Sequence, residues 1–464
     1  MAHDKKLIVD DPFTLEPFVE RPLLQADAVD ALVRRSARAE VDWAAVPVSR
    51  RAELCGKFVD AFLARKEEIA RDLTGQMGKP LVQARREVDG TADRARHMIS
   101  IAEASLADEP LPPKPGFVRF IRREPLGVVL DIAAWNYPLL IAVNVVVPAV
   151  LAGNSVLLKH SSRTPLCGEH FERAFREAGA PDGLVLAVHA DHSVTERIIQ
   201  HPGVGFVSFT GSVEGGRQVY RAVSSRFIDC GLELGGKDPA YVCADADFAF
   251  AAENVADGAF YNAGQSCCGV ERVYVERPIY ERFVEALVQS ARALRMGDPR
   301  DPETTLGPMA QPSGVRTLAA QVSEARAAGA RVLCGGEPAS IGGKGRFFAP
   351  TVVADATHRM SVMVEESFGP VVAVASVESD AEALEKMNDS PYGLTASVWT
   401  RDDARASAIA SRVVTGTVYQ NRCDFLDPAL PWVGVKDSGK GCTLSRLGFA
   451  QLTRPKSFHL RLGV

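Results

Sequence analysis

The sequence predicts an α/β protein in which a doubly wound parallel sheet is followed by a second α/β region. Short apolar runs alternate with helical patterns from about residue 117 onward. These runs are apolar throughout, as is typical of parallel strands that helices cover on both faces. A new α/β alternation starts after Gly236 and continues to about residue 448. Because 464 residues is also long for a single core, we expect more than one domain.

The first strong helical pattern covers residues 49–77. Ser49 is a suitable N-cap, apolar residues recur at helical spacing, and Gly78 to Pro80 ends the pattern. A second apolar stretch, 137–153, contains Asn144 and two prolines and is short for a membrane span. It therefore predicts a buried helix with proline near its start.

The strands of the first sheet follow this stretch or flank it. The candidates are residues 127–132, 154–159, 183–188, 205–210 and 226–234. Open parallel sheets bind ligands at the carboxyl ends of their strands, so we expect a binding site there. The usual dinucleotide fingerprint GxGxxG is absent, and a standard Rossmann loop is not predicted.

Two further strands, near 116–125 and 451–462, carry exposed basic residues. Their pattern is that of edge strands, and we expect them to pair between subunits of a homo-oligomer.

Composition and charge exclude several classes of function. The net charge is −5 and the basic residues are scattered, so we expect no nucleic-acid partner. The chain has nine cysteines, an odd number and mostly isolated, which predicts free thiols in a reducing cytoplasm. The first residues lack the apolar core of a signal peptide, and the apolar stretch 137–153 is short for a membrane span, so we expect no membrane partner. No ligand spacing predicts a metal site.

Two adjacent cysteines stand in the stretch FYNAGQSCCGV, residues 260–270. A thiol is a nucleophile only as thiolate, so a reactive cysteine needs local activation. The alternatives are that both cysteines only pack, pair with each other or bind metal. Other segments with chemical character decide between these readings: AWNYP (134–138), LLKHSSRTP (157–165), FTGS (209–212), LELGGK (232–237), GQSCC (264–268), EESFGP (365–370) and PWVGVKDSG (431–439).

In this order the segments resemble the aldehyde dehydrogenase superfamily, from about residue 40 to the C-terminus. The resemblance implies a Rossmann-like cofactor domain, a second α/β catalytic domain and a small β element for oligomerisation. It places the dinucleotide-binding domain at 1–104 and 126–235, the catalytic domain at 236–448, and the oligomerisation strands at 105–125 and 449–464. It also implies NAD or NADP as cofactor, a small aldehyde as substrate, and a homodimer or homotetramer.

The resemblance implies three catalytic residues. Cys267, two places after Gly-Gln, matches the nucleophile, and Cys268 is then a buried neighbour. Asn136 matches the residue whose side-chain amide holds the oxyanion, although an isolated asparagine there would be read as a cap of the helix that begins at Pro138. Glu233 matches the general base, and an isolated glutamate would be read as a surface charge.

Further residues match cofactor contacts of the family. Lys159 matches the ribose-binding lysine, Ser212 lies where a helix N-terminus would meet the pyrophosphate, and glycines allow close backbone approach. The full set implied is Trp135, Lys159, Ser162, Gly211, Ser212, Gly216, Leu234, Glu366 and Phe368. The chain departs from the family in the loop 189–197, which lacks the glycines that many members carry there.

The cofactor preference depends on the third residue after Lys159. NAD-preferring members often carry a glutamate there, which would repel a 2′-phosphate, but this chain has Ser162 followed by Arg163. We therefore predict that NADP is used at least as well as NAD.

The substrate is left open by the sequence. Tyr137, Ile141 and Asn144 share one helical face after the oxyanion residue, and Phe425 with Trp432 would close the tunnel. This mixture suits a medium aliphatic or aromatic aldehyde.

Three alternatives remain open at this point. The substrate alternative is an aldehyde with an acidic tail, which Arg422 and Arg454 would bind. The function alternatives are a coenzyme A-acylating semialdehyde dehydrogenase, which Glu233 disfavours, and a non-catalytic dinucleotide-binding relative.

Overall fold

The computed structural model describes residues 5–463, and its two largest sheets have six and seven strands. Residues 1–4 and 464, at the ends of the predicted domain ranges, lie outside the described residues. The helices are α1 (Val29–Ala44), α2 (Val48–Leu63), α3 (Lys66–Met77), α4 (Leu81–Leu106), α5 (Pro138–Ala152), α6 (Pro165–Glu177), α7 (His192–Gln200), α8 (Val213–Val223), α9 (Phe248–Phe260), α10 (Tyr280–Arg292), α11 (Pro312–Ala327), α12 (Ser361–Val364), α13 (Asp380–Asn388), α14 (Asp403–Ala410) and α15 (Ser445–Gln451).

The strands confirm the alternating α/β order. They are β1 (Lys6–Asp10), β2 (Pro17–Pro22), β3 (Glu109–Pro110), β4 (Phe117–Pro125), β5 (Val128–Ala133), β6 (Ser155–His160), β7 (Val185–Ala187), β8 (Val204–Thr210), β9 (Asp229–Glu233), β10 (Asp238–Val242), β11 (Val270–Glu276), β12 (Arg331–Cys334), β13 (Pro338–Ile341), β14 (Lys344–Phe348), β15 (Thr351–Ala354), β16 (Val371–Val377), β17 (Thr395–Trp399), β18 (Thr417–Gln420), β19 (Gly439–Lys440) and β20 (Thr453–Arg461).

The first large sheet has the strand order β19-β9-β8-β5-β6-β7. Strands β5 to β9 run parallel, and only β19 is antiparallel. Strand β5 is central, and the chain crosses to opposite sides of it for β6 and β8. That reversal is the position at which doubly wound sheets bind ligands.

The second large sheet has the order β12-β15-β16-β11-β10-β17-β18. It is parallel except for the edge strand β12. The two sheets are joined directly, because β9 ends at Glu233 and β10 begins at Asp238. Strand β19 returns from late in the chain to pair with β9, so that late segments also reach the junction.

The predicted helix over 49–77 is two helices, α2 and α3. The break lies at Ala64 and Arg65, where Arg65 has φ −110° and ψ 15°. The Arg65 side chain pairs with Glu177 in α6 at 2.6 Å. The apolar periodicity continues across the break because both helices face the same core, which is why the sequence pattern did not show it.

Contrary to the sequence prediction, the two basic strands are not both edge strands: β4 is the central strand of a three-stranded sheet, and β20 is an edge whose pairing with a second subunit stays a prediction. Strands β4 and β20 pair with each other in the same chain, antiparallel, from Thr453 opposite Pro125 to Arg461 opposite Phe117. Phe120 stacks on Phe458 across the ladder, with ring centroids 4.4 Å apart. Strand β3 completes this three-stranded sheet.

Each large sheet, with the helices that cover it, forms one lobe of the molecule. The N-terminal hairpin β1–β2 connects the two lobes through Asp10. The Asp10 carboxylate accepts hydrogen bonds from Arg163, beyond β6, and from Arg346 in β14. Burial opposes ionisation, but these two arginines lower the pKa of Asp10 to about 2. No helix within residues 5–463 is long and apolar enough to cross a membrane, and 137–153 contains the predicted buried helix α5.

Candidate active site

The turn before Cys267 has a backbone that few sequences adopt. Asn262 and Ala263 both have φ of +54°, and Gly264 follows at +67°. A Cβ at Gly264 would lie 2.2 Å from the carbonyl oxygen of Gly369, so only glycine allows this approach. The turn is held by Gln265, whose Nε2 donates to the Asn262 carbonyl at 3.0 Å. Positive φ in non-glycine residues concentrates at functional sites, and here it presents Cys267 to the cleft.

Cys267 and Cys268 have different surroundings. The Cys267 side chain is partly exposed and lines the large cavity between the lobes. Cys268 is 4% exposed, and its thiol donates to Asp424 Oδ1 at 2.9 Å. A hydrogen bond with Cys267 and burial both raise the pKa of Cys268. Cys268 is thus the buried neighbour that the sequence predicts, since its thiol is kept protonated.

The Asn136 side-chain amide is free to meet a ligand. Asn136 lies between β5 and α5 and lines the cavity with Cys267. Its backbone carbonyl accepts from Lys79 Nζ at 2.9 Å and from Asn262 Nδ2 at 3.0 Å, which fixes the segment against the nucleophile turn. Its amide has no hydrogen-bond partner among the residues that the structure describes, and it does not cap α5.

A buried ion pair supports this segment from behind. Lys79 and Glu87 are bonded to each other, with side chains 1% and 2% exposed. The second oxygen of Glu87 accepts the Leu139 backbone N–H at 3.0 Å. The pair therefore joins the first turn of α5 to α4 and orients Asn136.

Glu233 lies at the end of β9, on the same cavity. Its two carboxylate oxygens accept from Thr443 Oγ1 at 2.5 Å and from Thr210 Oγ1 at 3.3 Å. Burial raises the pKa of Glu233 above its usual value, and the two threonine hydroxyls oppose this. A carboxylate with a raised pKa and a fixed orientation is suited to proton transfer near neutral pH.

The carboxyl ends of β6 and β8 form the far part of the cavity. Lys159, in β6, is 7% exposed and forms no ion pair within residues 5–463, and burial lowers its pKa. Ser162, two residues beyond β6, is exposed at the cavity edge. The neighbouring Arg163 is bound by Asp10 and does not face the cavity as a free cation.

Helix α8 begins at the edge of the cavity. Its N-cap is Ser212, whose hydroxyl accepts from the Gly215 backbone N–H at 3.1 Å. Gly216, in the first turn, allows close packing on Leu234, since a Cβ there would lie 2.5 Å from Leu234 Cδ2. Gly211 and Leu234 line the cavity. Gly216 does not, although the preceding residue, Gly215, does. Backbone N–H groups at such a helix start bind anions.

Residues 366–368 close the cavity from the second lobe. Glu366 accepts from the Gly236 N–H at 3.1 Å, and burial raises its pKa to about 8. Phe368 has φ of +50° and meets Trp135 edge-on, with ring centroids 5.4 Å apart. The strained residue is held because the Phe368 N–H donates to Glu271, which itself pairs with Lys237 at 2.6 Å.

A single cavity of 1190 Å³ brings most of the predicted residues together. Those that line it are Trp135, Asn136, Lys159, Ser162, Gly211, Ser212, Glu233, Leu234, Cys267, Glu366 and Phe368. The predicted substrate residues Tyr137, Ile141, Asn144 and Phe425 do not line it.

The predicted substrate residues are mostly buried in protein contacts. The Tyr137 ring lies 4.0 Å from Lys79 Nζ, and its hydroxyl has no partner among the described residues. Ile141 is 8% exposed, and Asn144 accepts from Arg94 at 3.1 Å. Phe425 is the exposed member, stacked against the Arg422 guanidinium. Their role in substrate binding stays a prediction.

Several residues that position the site were not predicted. They are Lys79, Glu87, Lys237, Asn262, Glu271, Asp424 and Thr443. Lys237 lies inside LELGGK, so its presence in a motif was the available signal. Glu87 and Glu271 read as ordinary helix and strand charges, and only the fold shows that they are buried.

Comparison with known proteins gives independent evidence for the family of this chain. A family model described as "Aldehyde dehydrogenase family" matches residues 1–458. The succinate semialdehyde dehydrogenase Sad of Escherichia coli (strain K12), named as NAD(P)+-dependent, is 36% identical over 438 residues, which are 94% of each chain. A succinate-semialdehyde dehydrogenase of Mycobacterium tuberculosis (strain H37Rv), named as NADP(+)-dependent, is 36% identical over 433 residues, covering 93% of this chain and 94% of that one.

Solved structures agree with the fold. The crystal structure of an NAD-dependent aldehyde dehydrogenase from Sinorhizobium meliloti superposes with a TM-score of 0.96 at 33% identity. The match covers 99% of this chain and 92% of that one, so both large sheets and the small one are shared.

Proposed function

This chain belongs to the aldehyde dehydrogenase family and is an NAD(P)-dependent oxidoreductase, and from that premise we propose a hydrolytic aldehyde oxidation centred on Cys267. The aldehyde is converted to its carboxylic acid, and water is the final acceptor. The observation that carries the proposal is that Cys267, Asn136 and Glu233, which lie far apart in the sequence, line one cavity.

The cavity suits a dinucleotide. Lys159 offers a buried ammonium without an acidic partner in the described part of the chain, and α8 directs its first N–H groups to the same space. We propose that Lys159 holds the adenosine ribose, Ser212 and Gly211 the pyrophosphate, and Glu366 with Phe368 the nicotinamide end. When bound, the nicotinamide supplies the oxidising power by accepting a hydride.

The first step belongs to Cys267 and Asn136. The thiolate of Cys267 attacks the aldehyde carbon, and the oxygen becomes negatively charged as the tetrahedral adduct forms. The Asn136 amide, unpaired in the protein, and the Cys267 backbone N–H stabilise that charge. Loss of hydride from the adduct leaves a thioester on Cys267.

The second step belongs to Glu233. Its carboxylate takes a proton from a water molecule, which attacks the thioester and releases the acid and the Cys267 sulfur. Thr443 and Thr210 fix both oxygens, so the carboxylate stays oriented toward the cavity. The presence of Glu233 supports water over coenzyme A as acceptor, and three intact catalytic residues disfavour a non-catalytic role.

We further propose that NADP serves at least as well as NAD. Ser162, at the cavity edge, is neutral and cannot repel a 2′-phosphate, and Lys159 is free of an acidic partner within residues 5–463. Arg163 does not contribute, because Asp10 binds it. The name of the Mycobacterium tuberculosis relative gives NADP(+), and that of the Escherichia coli relative gives NAD(P)+, so both are consistent with the use of NADP.

We propose a cytoplasmic homodimer or homotetramer. All nine cysteines are free thiols, which suits a reducing compartment. The three-stranded sheet bears exposed Val118 and Leu460, and exposed Leu462 follows β20 directly; a second subunit would cover these apolar side chains. Sedimentation at micromolar concentration tests this assembly, and a monomer would refute it.

A direct assay tests the proposed function. Purified protein is mixed with a panel of aldehydes and either NAD or NADP, and cofactor reduction is followed by absorbance. Turnover without coenzyme A, with formation of the free acid, is the expected result. Turnover only when coenzyme A is present would favour the acylating alternative, and the absence of reduction with every aldehyde would remove the function.

A further inference from the structure

Arg94 lies in the middle of α4 with its guanidinium against α5. Its Nη1 donates to two acceptors of α5, the Leu140 carbonyl and Asn144 Oδ1, both at 3.1 Å. Both acceptors are neutral. The contact therefore orients the guanidinium without compensating its charge.

No acidic side chain among residues 5–463 forms an ion pair with Arg94. The nearby acids have other partners, since Glu87 is bonded to Lys79 and Glu233 to two threonines. Burial lowers the pKa of the Arg94 guanidinium, while the negative charges of Glu233, Glu87 and a Cys267 thiolate act in the opposite direction. Arg94 is thus a half-buried cation within electrostatic range of both the nucleophile and the base.

Other donors at this place also lack partners. The hydrogen bonds of Arg94 to described protein groups both come from Nη1, which leaves Nε and Nη2 as further donors, and the residue is partly exposed. Asn144 presents Oδ1 to Arg94, which leaves its Nδ2 as a second donor without a protein acceptor in the described structure. A guanidinium beside an amide N–H is a donor set that matches a carboxylate, which accepts bidentate bonds from arginine.

We propose that Arg94 binds a carboxylate at the far end of the substrate, so that the preferred substrates are aldehydes with a terminal carboxylate. This inference rests on the proposed function, since it needs the aldehyde carbon at Cys267. The tail carboxylate supplies the counter-charge that the protein does not, and a methyl-ended aldehyde leaves the guanidinium unpaired. That difference generates specificity.

The two arginines that the sequence offered for an acidic tail have other contacts. Arg454 lies in β20, 3.6 Å from Glu124, in the sheet that carries no predicted site residue. The Arg422 guanidinium stacks on Phe425, with its central carbon 3.4 Å from the ring centroid. Arg94, by contrast, contacts the predicted substrate face of α5 through Asn144.

The test compares substrates with matched variants. Straight-chain aldehydes ending in carboxylate or methyl are assayed at equal chain length with wild type, Arg94→Met, Arg94→Lys and Arg96→Met. Arg96 is the control, an exposed arginine of the same helix with an exposed partner, Asp93. We expect Arg94→Met to lower kcat/KM for carboxylate-ended aldehydes by about a hundredfold, mainly through KM, as expected when one member of a buried charge pair is removed. Loss on methyl-ended aldehydes should stay below about tenfold, Arg94→Lys should be intermediate, and Arg96→Met should behave as wild type.

A binding measurement gives a readout independent of turnover. Saturated dicarboxylates, which resemble the product, are titrated into wild type and Arg94→Met by calorimetry, and melting temperatures confirm that both are folded. Binding to wild type that is lost in Arg94→Met supports the proposal. Equal kcat/KM for both tail types in wild type, an equal loss for both in Arg94→Met, or unchanged dicarboxylate binding would overturn it while leaving aldehyde oxidation standing. If folded wild type oxidised no aldehyde, the proposed function would fall, and the calorimetric difference alone would decide the binding role of Arg94.

Discussion

The two sides of Cys267 differ in structure: backbone groups form one side, and packed side chains form the other. On the proposed cofactor side, the cavity is formed by strand ends, a helix N-terminus and glycines, with Lys237–Glu271 buried behind the loop 366–368. On the proposed substrate side, side chains of α4 and α5 share one core with Leu426 and Trp432, and Lys79–Glu87 is buried behind Asn136.

This difference has a physical consequence. Backbone groups bind features common to every dinucleotide, so the cofactor side depends on main-chain geometry that few residue choices can supply. Side chains bind what distinguishes one aldehyde from another, so substitutions on the proposed substrate side can change specificity without disturbing the fold. The variants below separate the two sides, beginning with the residue that both share.

Cys267→Ala should abolish turnover, by more than about 10⁴-fold, because no covalent adduct forms. Cys268→Ala is the matched control and should keep most of the activity, since that thiol is held protonated by its contacts. Steady-state cofactor reduction and labelling by a substoichiometric thiol reagent measure both variants. Activity in Cys267→Ala, or equal losses in the two, would show that the wrong sulfur had been assigned.

Glu233→Gln should lower steady-state turnover by about 10²–10⁴-fold while keeping a burst of up to about one reduced cofactor per site. Hydride transfer precedes hydrolysis, so the thioester accumulates. Rapid-mixing absorbance measures the burst and the later rate. Normal turnover in this variant would remove Glu233 from the mechanism.

The pH dependence follows from the same residue. The base works when ionised, and burial raises the pKa of Glu233, so turnover should fall as pH drops through that raised value. The acid limb should therefore lie at higher pH than for an exposed glutamate, and it should vanish in Glu233→Gln. A kcat profile from about pH 5 to 9 for both proteins measures this, and an identical limb in the variant would assign it to another group.

Lys79→Met and Lys237→Met should each lower the free energy of unfolding by about 3–5 kcal/mol, because each leaves a buried carboxylate unpaired. Their kinetic effects should differ. Lys79→Met should lower kcat by about 10–10²-fold through Asn136, and Lys237→Met should mainly raise KM for the cofactor. Lys66→Met, which breaks the exposed pair with Asp89, is the control and should cost less than about 1 kcal/mol. The same kinetic change in both buried variants would erase the distinction between the two sides.

Ser162→Glu should have the smallest effect, a shift of the kcat/KM ratio toward NAD by about tenfold or more, since a carboxylate repels a 2′-phosphate. Ser162→Gln adds the same bulk without charge and should shift the ratio much less. Kinetics with both cofactors measure the three proteins. A wild type that favours NAD by about a hundredfold, or an unchanged ratio in Ser162→Glu, would contradict the proposed preference.

The sequence predicted the cofactor side better than the substrate side. Strands β5, β6 and β8 were found within a residue or two, because continuous apolar runs mark buried parallel strands. Lys159, Ser212 and Glu233 follow directly after or within such runs, and they line the predicted cavity.

The rest depended on contacts between distant segments. Asp424 lies 156 residues from Cys268, whose thiol donates to it, and no local pattern records that pairing. The same holds for Arg94, whose helix reads as an ordinary charged surface until α5 packs on it. The central position of β4 was missed because an edge pattern identifies a strand but not its partners.

The position of Asp10 makes the N-terminal hairpin a strap across the cleft. One carboxylate holds an arginine from each lobe, and its lowered pKa keeps it ionised over the whole range in which enzymes work. The two lobes are therefore joined at two places, by the chain segment after Glu233 and by the ion pairs of Asp10. We expect the dinucleotide to enter the cavity end-on, without separation of the two lobes. Hydrogen exchange at the β1 amides measures this, and we expect the exchange rates to be the same with and without cofactor.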